Sequence, residues 1–90
     1  MNLFSKVTIP SQVLAREVGE ETVILDLESG TYFGLDPVGA RVWQLMGEGR
    51  TLAEICDAML AEYDVIREDL ERDVLKLASD LLEQKLILAG

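Results

Sequence analysis

The chain offers few side chains that could carry out chemistry. It has no histidine and one cysteine, Cys56, which removes the commonest general base and metal ligand, an internal disulfide and a thiolate zinc cage. Cys56 shares a helical stripe with Ile55, Met59 and Leu60, where a cysteine without a histidine partner serves packing rather than nucleophilic attack. The carboxylates are spread over helix faces, and no glycine-rich phosphate loop is present. We therefore predict a protein that is not an enzyme and uses no cofactor and no metal ion.

Charge and length narrow the class of partner further. The 90 residues include 17 acidic and 8 basic side chains, and the net charge is −9. A chain this acidic is repelled by nucleic-acid phosphates and by anionic membranes, so we expect neither as a partner. The length predicts one small domain over residues 1–90, without a membrane span or a signal peptide. A lone cysteine is typical of the reducing cytoplasm.

The front of the chain has the pattern of a three-stranded antiparallel sheet. Strands are predicted over residues 13–18, 22–28 and 31–35, with glycine-containing turns between them. Two hairpins in succession give the strand order first-second-third, so the third strand lies at an edge. Alternation divides the second strand into a polar face and an apolar face, with Asp26 and Glu28 opposite Val23, Leu25 and Leu27.

The rest of the chain has the pattern of three helices, which makes the fold class α+β. Asp36 and Pro37 suit the N-cap and first position of the first helix, and Thr51 with Glu54 forms a capping box for the second. The third helix is predicted over residues 68–84. The first helix carries an apolar stripe at helical spacing, formed by Val38, Val42, Leu45 and Met46.

The third predicted strand is an unshielded sheet edge. Residues 31–35 contain no charge and no proline, the features that usually protect an edge. The third helix carries an apolar arc of about 160°, wider than the roughly 100° that packing on one neighbour needs, so part of it is available to line a groove. An extended peptide would gain main-chain hydrogen bonds from the edge and specificity from the groove. Alternatively, residues 7–9 or the tail at 86–88, a short strand or a packed segment, cover the edge.

Two other functions would use the same elements. Three helices in succession suggest a winged-helix DNA-binding regulator, but residues 68–85 hold six acidic and three basic side chains. The exposed acids of this helix would face phosphates: Asp69, Asp73, Asp80 and Glu83. A small dimerisation module would instead pair the open edge with a second copy of the chain.

Several stretches of the sequence together resemble one known family. The most distinctive is VILDLESGTYFGLDPVGARVW at residues 23–43, followed by TLAEI at residues 51–55. Leu60, residues 62–65 and residues 70–74 extend the likeness. In these motifs the chain resembles the PqqD-like family, the stand-alone recognition elements of ribosomally synthesised and post-translationally modified peptides (RiPPs).

The resemblance implies a three-stranded antiparallel sheet followed by a winged helix-turn-helix-like bundle of three helices. It also implies that the leader segment of a precursor peptide adds as a strand to the third β-strand, in the cleft against the third helix. Because side chains alternate along a strand, at most one of Tyr32 and Phe33 faces this cleft. The sequence departs from the family at Ile66, where a helix-capping Ser, Asp or Thr is common. The matching peptide-binding positions are Thr31, Tyr32, Phe33, Gly34, Leu35, Leu70, Asp73, Val74, Leu77 and Leu81, with Lys76 as a polar rim.

The family resemblance leaves two biological settings open. The run at residues 31–39 is similar to the recognition subunits of split lasso-peptide leader peptidases, which implies a cysteine leader peptidase on a separate chain as the partner enzyme. The alternative is a pyrroloquinoline-quinone type pathway with a radical SAM enzyme as the partner. In either setting the protein is a non-catalytic peptide chaperone that delivers a leader to a maturation enzyme.

Overall fold

The computed structural model describes residues 1–89, which form three helices and two antiparallel sheets. The elements in chain order are β1 (Val7–Thr8), β2 (Val13–Val18), β3 (Glu21–Asp26), β4 (Tyr32–Leu35), α1 (Pro37–Met46), α2 (Leu52–Glu62), α3 (Arg67–Glu83) and β5 (Leu88–Ala89). The predicted α+β class is confirmed, because the three helices follow a three-stranded antiparallel sheet.

The larger sheet has the order β2-β3-β4, as the sequence predicts. Gly19 and Gly30 permit its two tight turns, because each adopts a positive φ, of 64° and 76° respectively. Ile24 of β3 lies opposite Phe33 of β4 in the register. β4 therefore has β3 on one side and forms an edge of the sheet.

Asp26 ends β3 two residues before the predicted end of the strand. Its Oδ1 accepts hydrogen bonds from the backbone N–H of Glu28 at 2.8 Å and of Ser29 at 3.2 Å, which bends the chain into the turn. The bond from Glu28 lowers the pKa of the Asp26 carboxyl, against the effect of burial, which raises it. The side chain is therefore satisfied although Asp26 is only 5% exposed.

The core takes the face of β3 that carries Ile24 and Asp26, and not the apolar face predicted from alternation. Ile24 is fully buried, whereas Leu27 is 62% exposed. Leu27 lies in the turn after β3, so it cannot continue the face of Val23 and Leu25, both of which are half-buried. The turn built on Asp26 therefore removes Leu27 from the strand and leaves Val23 and Leu25 on the half-buried face.

Two of the three helices begin with the predicted side-chain caps. Asp36 Oδ1 accepts a hydrogen bond from the Gly39 N–H at 2.7 Å at the start of α1. Thr51 and Glu54 form the reciprocal capping box of α2. α3 differs, because its N-cap residue is Ile66, which makes no side-chain hydrogen bond.

The core lies between the inner face of the sheet and the helices. Cys56 is a free cysteine within it, and burial raises the pKa of its thiol, as expected of a packing residue. The tail after α3 anchors this core with two fully buried side chains. The largest fully buried side chains are those of Ile24, Leu45, Met46, Leu52, Ile55, Cys56, Met59, Val74, Leu81, Leu86 and Ile87.

The two ends of the chain pair with each other rather than with β4. β1 and β5 are antiparallel, with Val7 opposite Ala89. The alternative in which residues 7–9 or 86–88 cover the edge is therefore wrong. Within residues 1–89, no strand pairs with the outer edge of β4.

Candidate functional site

An open groove of about 670 Å³ lies between β4 and α3. Its volume is within the range of about 300–1,000 Å³ that is typical of ligand sites. The start of α1 and the loop before α3 complete its walls. The lining residues are Phe33, Gly34, Leu35, Asp36, Val38, Gly39, Val42, Val65, Ile66, Asp69, Leu70, Asp73, Val74, Lys76, Leu77 and Asp80.

The backbone groups of Tyr32 and Gly34 face the open edge of β4. The Asp26 N–H donates to the Thr31 carbonyl oxygen at 2.8 Å, which fixes the phase of the hydrogen bonds between β3 and β4. Bonded and non-bonded residue pairs alternate in an antiparallel ladder. Every second residue after Thr31 therefore bonds to β3, while Tyr32 and Gly34 direct their N–H and C=O groups outward. An added strand would find donors and acceptors at both positions.

The two aromatic side chains of β4 point to opposite faces of the sheet. Phe33 lies opposite the buried Ile24 and lines the groove. Tyr32 is 74% exposed and does not line it. Of the two aromatic residues, Phe33 is thus the one that faces the groove.

α3 presents two parallel stripes along the groove. Leu70, Val74 and Leu77 follow helical spacing and form an apolar floor, in which Leu70 and Val74 are buried and Leu77 is half-buried. A polar stripe lies one residue earlier in each turn and forms the outer rim. Its members are Asp69, Asp73, Lys76 and Asp80.

The charged side chains of the groove are mostly acidic: Asp36, Asp69, Asp73 and Asp80, with Lys76 as the one cation among the lining residues. Lys76 Nζ lies 3.1 Å from Asp80 Oδ2. The guanidinium of Arg72 lies 3.2 Å from an Asp69 oxygen and 4.0 Å from Asp73, so two carboxylates share one arginine. The rim therefore keeps an excess of negative charge beside the apolar floor.

The groove brings together eight of the eleven residues predicted to bind a peptide: Phe33, Gly34, Leu35, Leu70, Asp73, Val74, Lys76 and Leu77. Thr31 precedes β4, and its Oγ1 accepts a hydrogen bond from Ser29 Oγ at 2.9 Å within the turn. The side chain of Tyr32 does not line the groove, but its backbone N–H and C=O groups face the open edge of β4. Leu81 is fully buried, because it continues the apolar stripe of α3 into the core and so does not reach the groove.

The wall supplied by α1 was missing from the residues predicted for the site. The sequence placed Val38 in the apolar stripe of the first helix without linking it to the site, and in the structure it is 42% exposed and lines the groove. A Cβ on Gly39 would lie 3.2 Å from Asp36 Oδ1 and 3.3 Å from Leu35 Cδ2, so glycine keeps the passage from β4 to α1 tight. The Asp36-Pro37 helix start was the available signal, because it places the first turn of α1 directly after the edge strand.

Comparison with known proteins identifies the family of this chain. The family model of coenzyme PQQ synthesis protein D (PqqD) matches residues 21–87. The match includes β3, β4 and all three helices, so it contains every residue that lines the groove. The chain belongs to the PqqD family, and its resemblance to the PqqD-like RiPP recognition elements is confirmed.

Two solved structures share the fold over nearly the whole chain. TbiB1, in complex with the TbiA(beta) leader peptide, is 42% identical over 89% of this chain and 93% of that chain, with a TM-score of 0.80. A lasso peptide synthetase B1 complexed with the leader peptide is 28% identical over 92% of this chain and 98% of that chain, with a TM-score of 0.82. No curated protein sequence matches the chain.

Two further features concern membranes and metals. None of the helices described within residues 1–89 is long and apolar enough to cross a membrane. The same residues contain no cluster of three or more His, Cys, Asp or Glu side chains that could hold a metal ion.

Proposed function

We propose that this protein binds the leader segment of a ribosomally synthesised precursor peptide as an added strand on β4. The single observation that carries the proposal is the open edge, where Tyr32 and Gly34 direct their backbone groups outward beside the apolar groove. A bound leader gains main-chain hydrogen bonds from these two residues. Alternate side chains of the leader then lie over the floor formed by α3.

Related structures support this role for the groove. TbiB1 was solved with the TbiA(beta) leader peptide, and a lasso peptide synthetase B1 was also solved with a leader peptide. The identity of 42% to TbiB1 extends over almost all of both chains. A peptide of the same class is therefore the ligand that we assign to this groove.

We propose that the protein is not itself catalytic and that it delivers the leader to a separate maturation enzyme. We place this step in the cytoplasm. Cys56, the only cysteine, is fully buried, and the sequence has no histidine to activate it. A cysteine leader peptidase of a lasso-peptide pathway is the favoured partner, because one solved relative is a lasso peptide synthetase B1 complexed with a leader peptide. A radical SAM enzyme of a pyrroloquinoline-quinone type pathway is the alternative, in keeping with the family description.

A titration with labelled peptides tests the proposal. Fluorescein-labelled TbiA(beta) leader, a set of lasso leaders and a pyrroloquinoline-quinone precursor peptide are each titrated with the protein, and anisotropy is measured. We expect saturable binding of a lasso leader with one peptide per chain, and no binding of a scrambled peptide of the same composition. Tighter binding of the quinone precursor would transfer the assignment to the alternative pathway.

The mass in solution separates peptide binding from self-pairing of the edge. We expect a monomer by light scattering over a wide concentration range, because the acidic rims of two copies would repel each other. Absence of any leader binding, together with a mass that doubles with concentration, would instead assign the edge of β4 to a dimer interface.

A further inference from the structure

Ile66 occupies a position where its side chain is locally unfavourable. It is the N-cap of α3, with extended backbone angles of φ −78° and ψ 129°, and it makes no cap hydrogen bond. Ser, Thr, Asp and Asn are strongly preferred at this position because they accept a bond from the first free N–H groups of the helix. Acidic residues in the first turn, Glu68 and Asp69, offset part of the loss through the helix dipole.

The same side chain is also unusually exposed for an aliphatic residue. Ile66 is 67% exposed, its neighbour Val65 is 46% exposed, and Val38 at the start of α1 is 42% exposed. All three line the groove. Scattered single aliphatic residues on a surface are ordinary, but three branched side chains on one groove form an apolar patch that water solvates poorly.

Chain connectivity places Val38, one member of this patch, on the path of a docked peptide. α1 begins directly after β4, so Val38 lies three residues beyond Leu35, the last residue of the edge strand. A strand that pairs with Tyr32 and Gly34 and continues past Leu35 runs toward the start of α1. The side chains that such a strand presents to the groove would reach Val38, and Val65 and Ile66 line the same groove.

We propose that Ile66, together with Val65 and Val38, forms an apolar subsite that takes one aliphatic or aromatic side chain of the leader peptide. This inference rests on the function proposed above and specifies which part of the groove reads the leader. Ile66 stands in place of a helix cap because the contact with the leader requires an apolar side chain there. Helix stability and leader affinity therefore make opposite demands on this residue.

The substitution Ile66→Ser separates these two demands. A serine accepts the missing cap hydrogen bond, so we expect the midpoint of thermal unfolding to rise by about 4 to 8 °C. The same change removes apolar contact area, so we expect the Kd of the leader that binds the wild type best to rise by about tenfold. A gain in stability with a loss of binding cannot result from damage to the fold.

Two control variants test whether the effect belongs to the subsite. Leu27→Ser replaces an aliphatic side chain of similar exposure, 62%, that does not line the groove, and it leaves the Kd unchanged. Ile66→Val keeps the apolar contact without adding a cap, so the Kd stays within about threefold and the unfolding midpoint does not rise.

Alanine substitutions along the leader identify the side chain that enters the subsite. One apolar leader position is expected to lose affinity on substitution when the wild type is the binder, and to lose little when Ile66→Ser is the binder. A Kd for Ile66→Ser within twofold of a tightly binding wild type would overturn the subsite and leave the proposed function standing. A wild type that binds no leader in the panel would overturn both.

Discussion

Phe33 lies directly opposite Ile24 in the ladder between β3 and β4. This pairing directs the Phe33 side chain into the groove and its backbone groups toward β3. Alternation then leaves the N–H and C=O groups of Tyr32 and Gly34 at the outer edge. Phe33 thus contributes its side chain to the groove wall, while its neighbours Tyr32 and Gly34 offer the free backbone groups. Substitutions can therefore test the backbone and side-chain contributions to binding separately.

The substitution Gly34→Pro is expected to weaken leader binding by about tenfold or more while the protein stays folded. Proline removes the outward N–H of this residue, and a lost hydrogen bond that leaves a leader carbonyl unpaired costs about 1–3 kcal/mol. Proline is tolerated at a sheet edge when the missing N–H faces solvent. Peptide anisotropy gives the Kd and circular dichroism gives the unfolding midpoint.

The matched control for this variant is Phe33→Pro, one residue away on the same strand. Here the missing N–H is the one that bonds to β3, so the unfolding midpoint is expected to fall. A Gly34→Pro protein that binds the leader with unchanged Kd would contradict the assignment of the outward-facing positions.

The apolar floor of the groove is tested by Leu77→Glu. Leu77 is half-buried and lines the groove, so a carboxylate there meets the leader while keeping access to solvent, and we expect the Kd to rise by about tenfold or more. Val74→Glu is a poorer probe, because Val74 is only 1% exposed and a charge there would destabilise the core.

Leu75→Glu provides the comparison for this change on the same helix. Leu75 is also half-buried, but it does not line the groove. We expect similar losses of stability for the two variants and a loss of leader affinity only for Leu77→Glu. Equal affinities for both variants would show that the floor of the groove is not in contact with the leader.

The acidic rim predicts a preference for leaders with basic residues beside the strand-forming segment. Asp73 is 74% exposed through its side chain and shares Arg72 with Asp69. We expect Asp73→Lys to weaken binding of a leader with a lysine at a groove-facing position, and to strengthen binding of the same leader with glutamate there. Binding of the lysine leader to the wild type is expected to weaken as salt rises.

Asp64→Lys makes the same change in net charge outside the groove. This variant is expected to shift the affinities of both leaders only slightly and without the reversal between lysine and glutamate. If Asp73→Lys and Asp64→Lys changed the two affinities in the same way, the effect would come from overall charge. The acidic rim would then play no part in the choice of leader.

The local signals in the sequence were sufficient for most of the fold. Gly30 at a tight turn, Asp36 before Pro37, and the pair Thr51 and Glu54 each act over a few residues, and the structure has a turn or helix start at each of these positions. The absence of charge and proline in the third strand likewise favoured an open edge, although only the structure excluded its cover by residues 7–9 or 86–88.

Features that depend on distant parts of the chain could not be predicted in the same way. The pairing of β1 with β5 joins the two ends of the chain, and neither two-residue strand has a recognisable periodicity of its own. Alternation favoured the face of Val23 and Leu25, but Ile24 and Asp26 are the buried residues, because Asp26 is satisfied by hydrogen bonds from the turn. Val38 fits a helical stripe, and only the position of α1 beside β4 shows that it faces the groove.

Residue-resolved amide exchange of the free and leader-bound protein tests the central claim most directly. In the free protein we expect slow exchange at the Phe33 and Leu35 amides, which bond to β3, and fast exchange at Tyr32 and Gly34. A saturating leader should slow exchange at Tyr32 and Gly34 and leave the other two unchanged. Binding of the leader with no new protection at Tyr32 and Gly34 would contradict strand addition to β4.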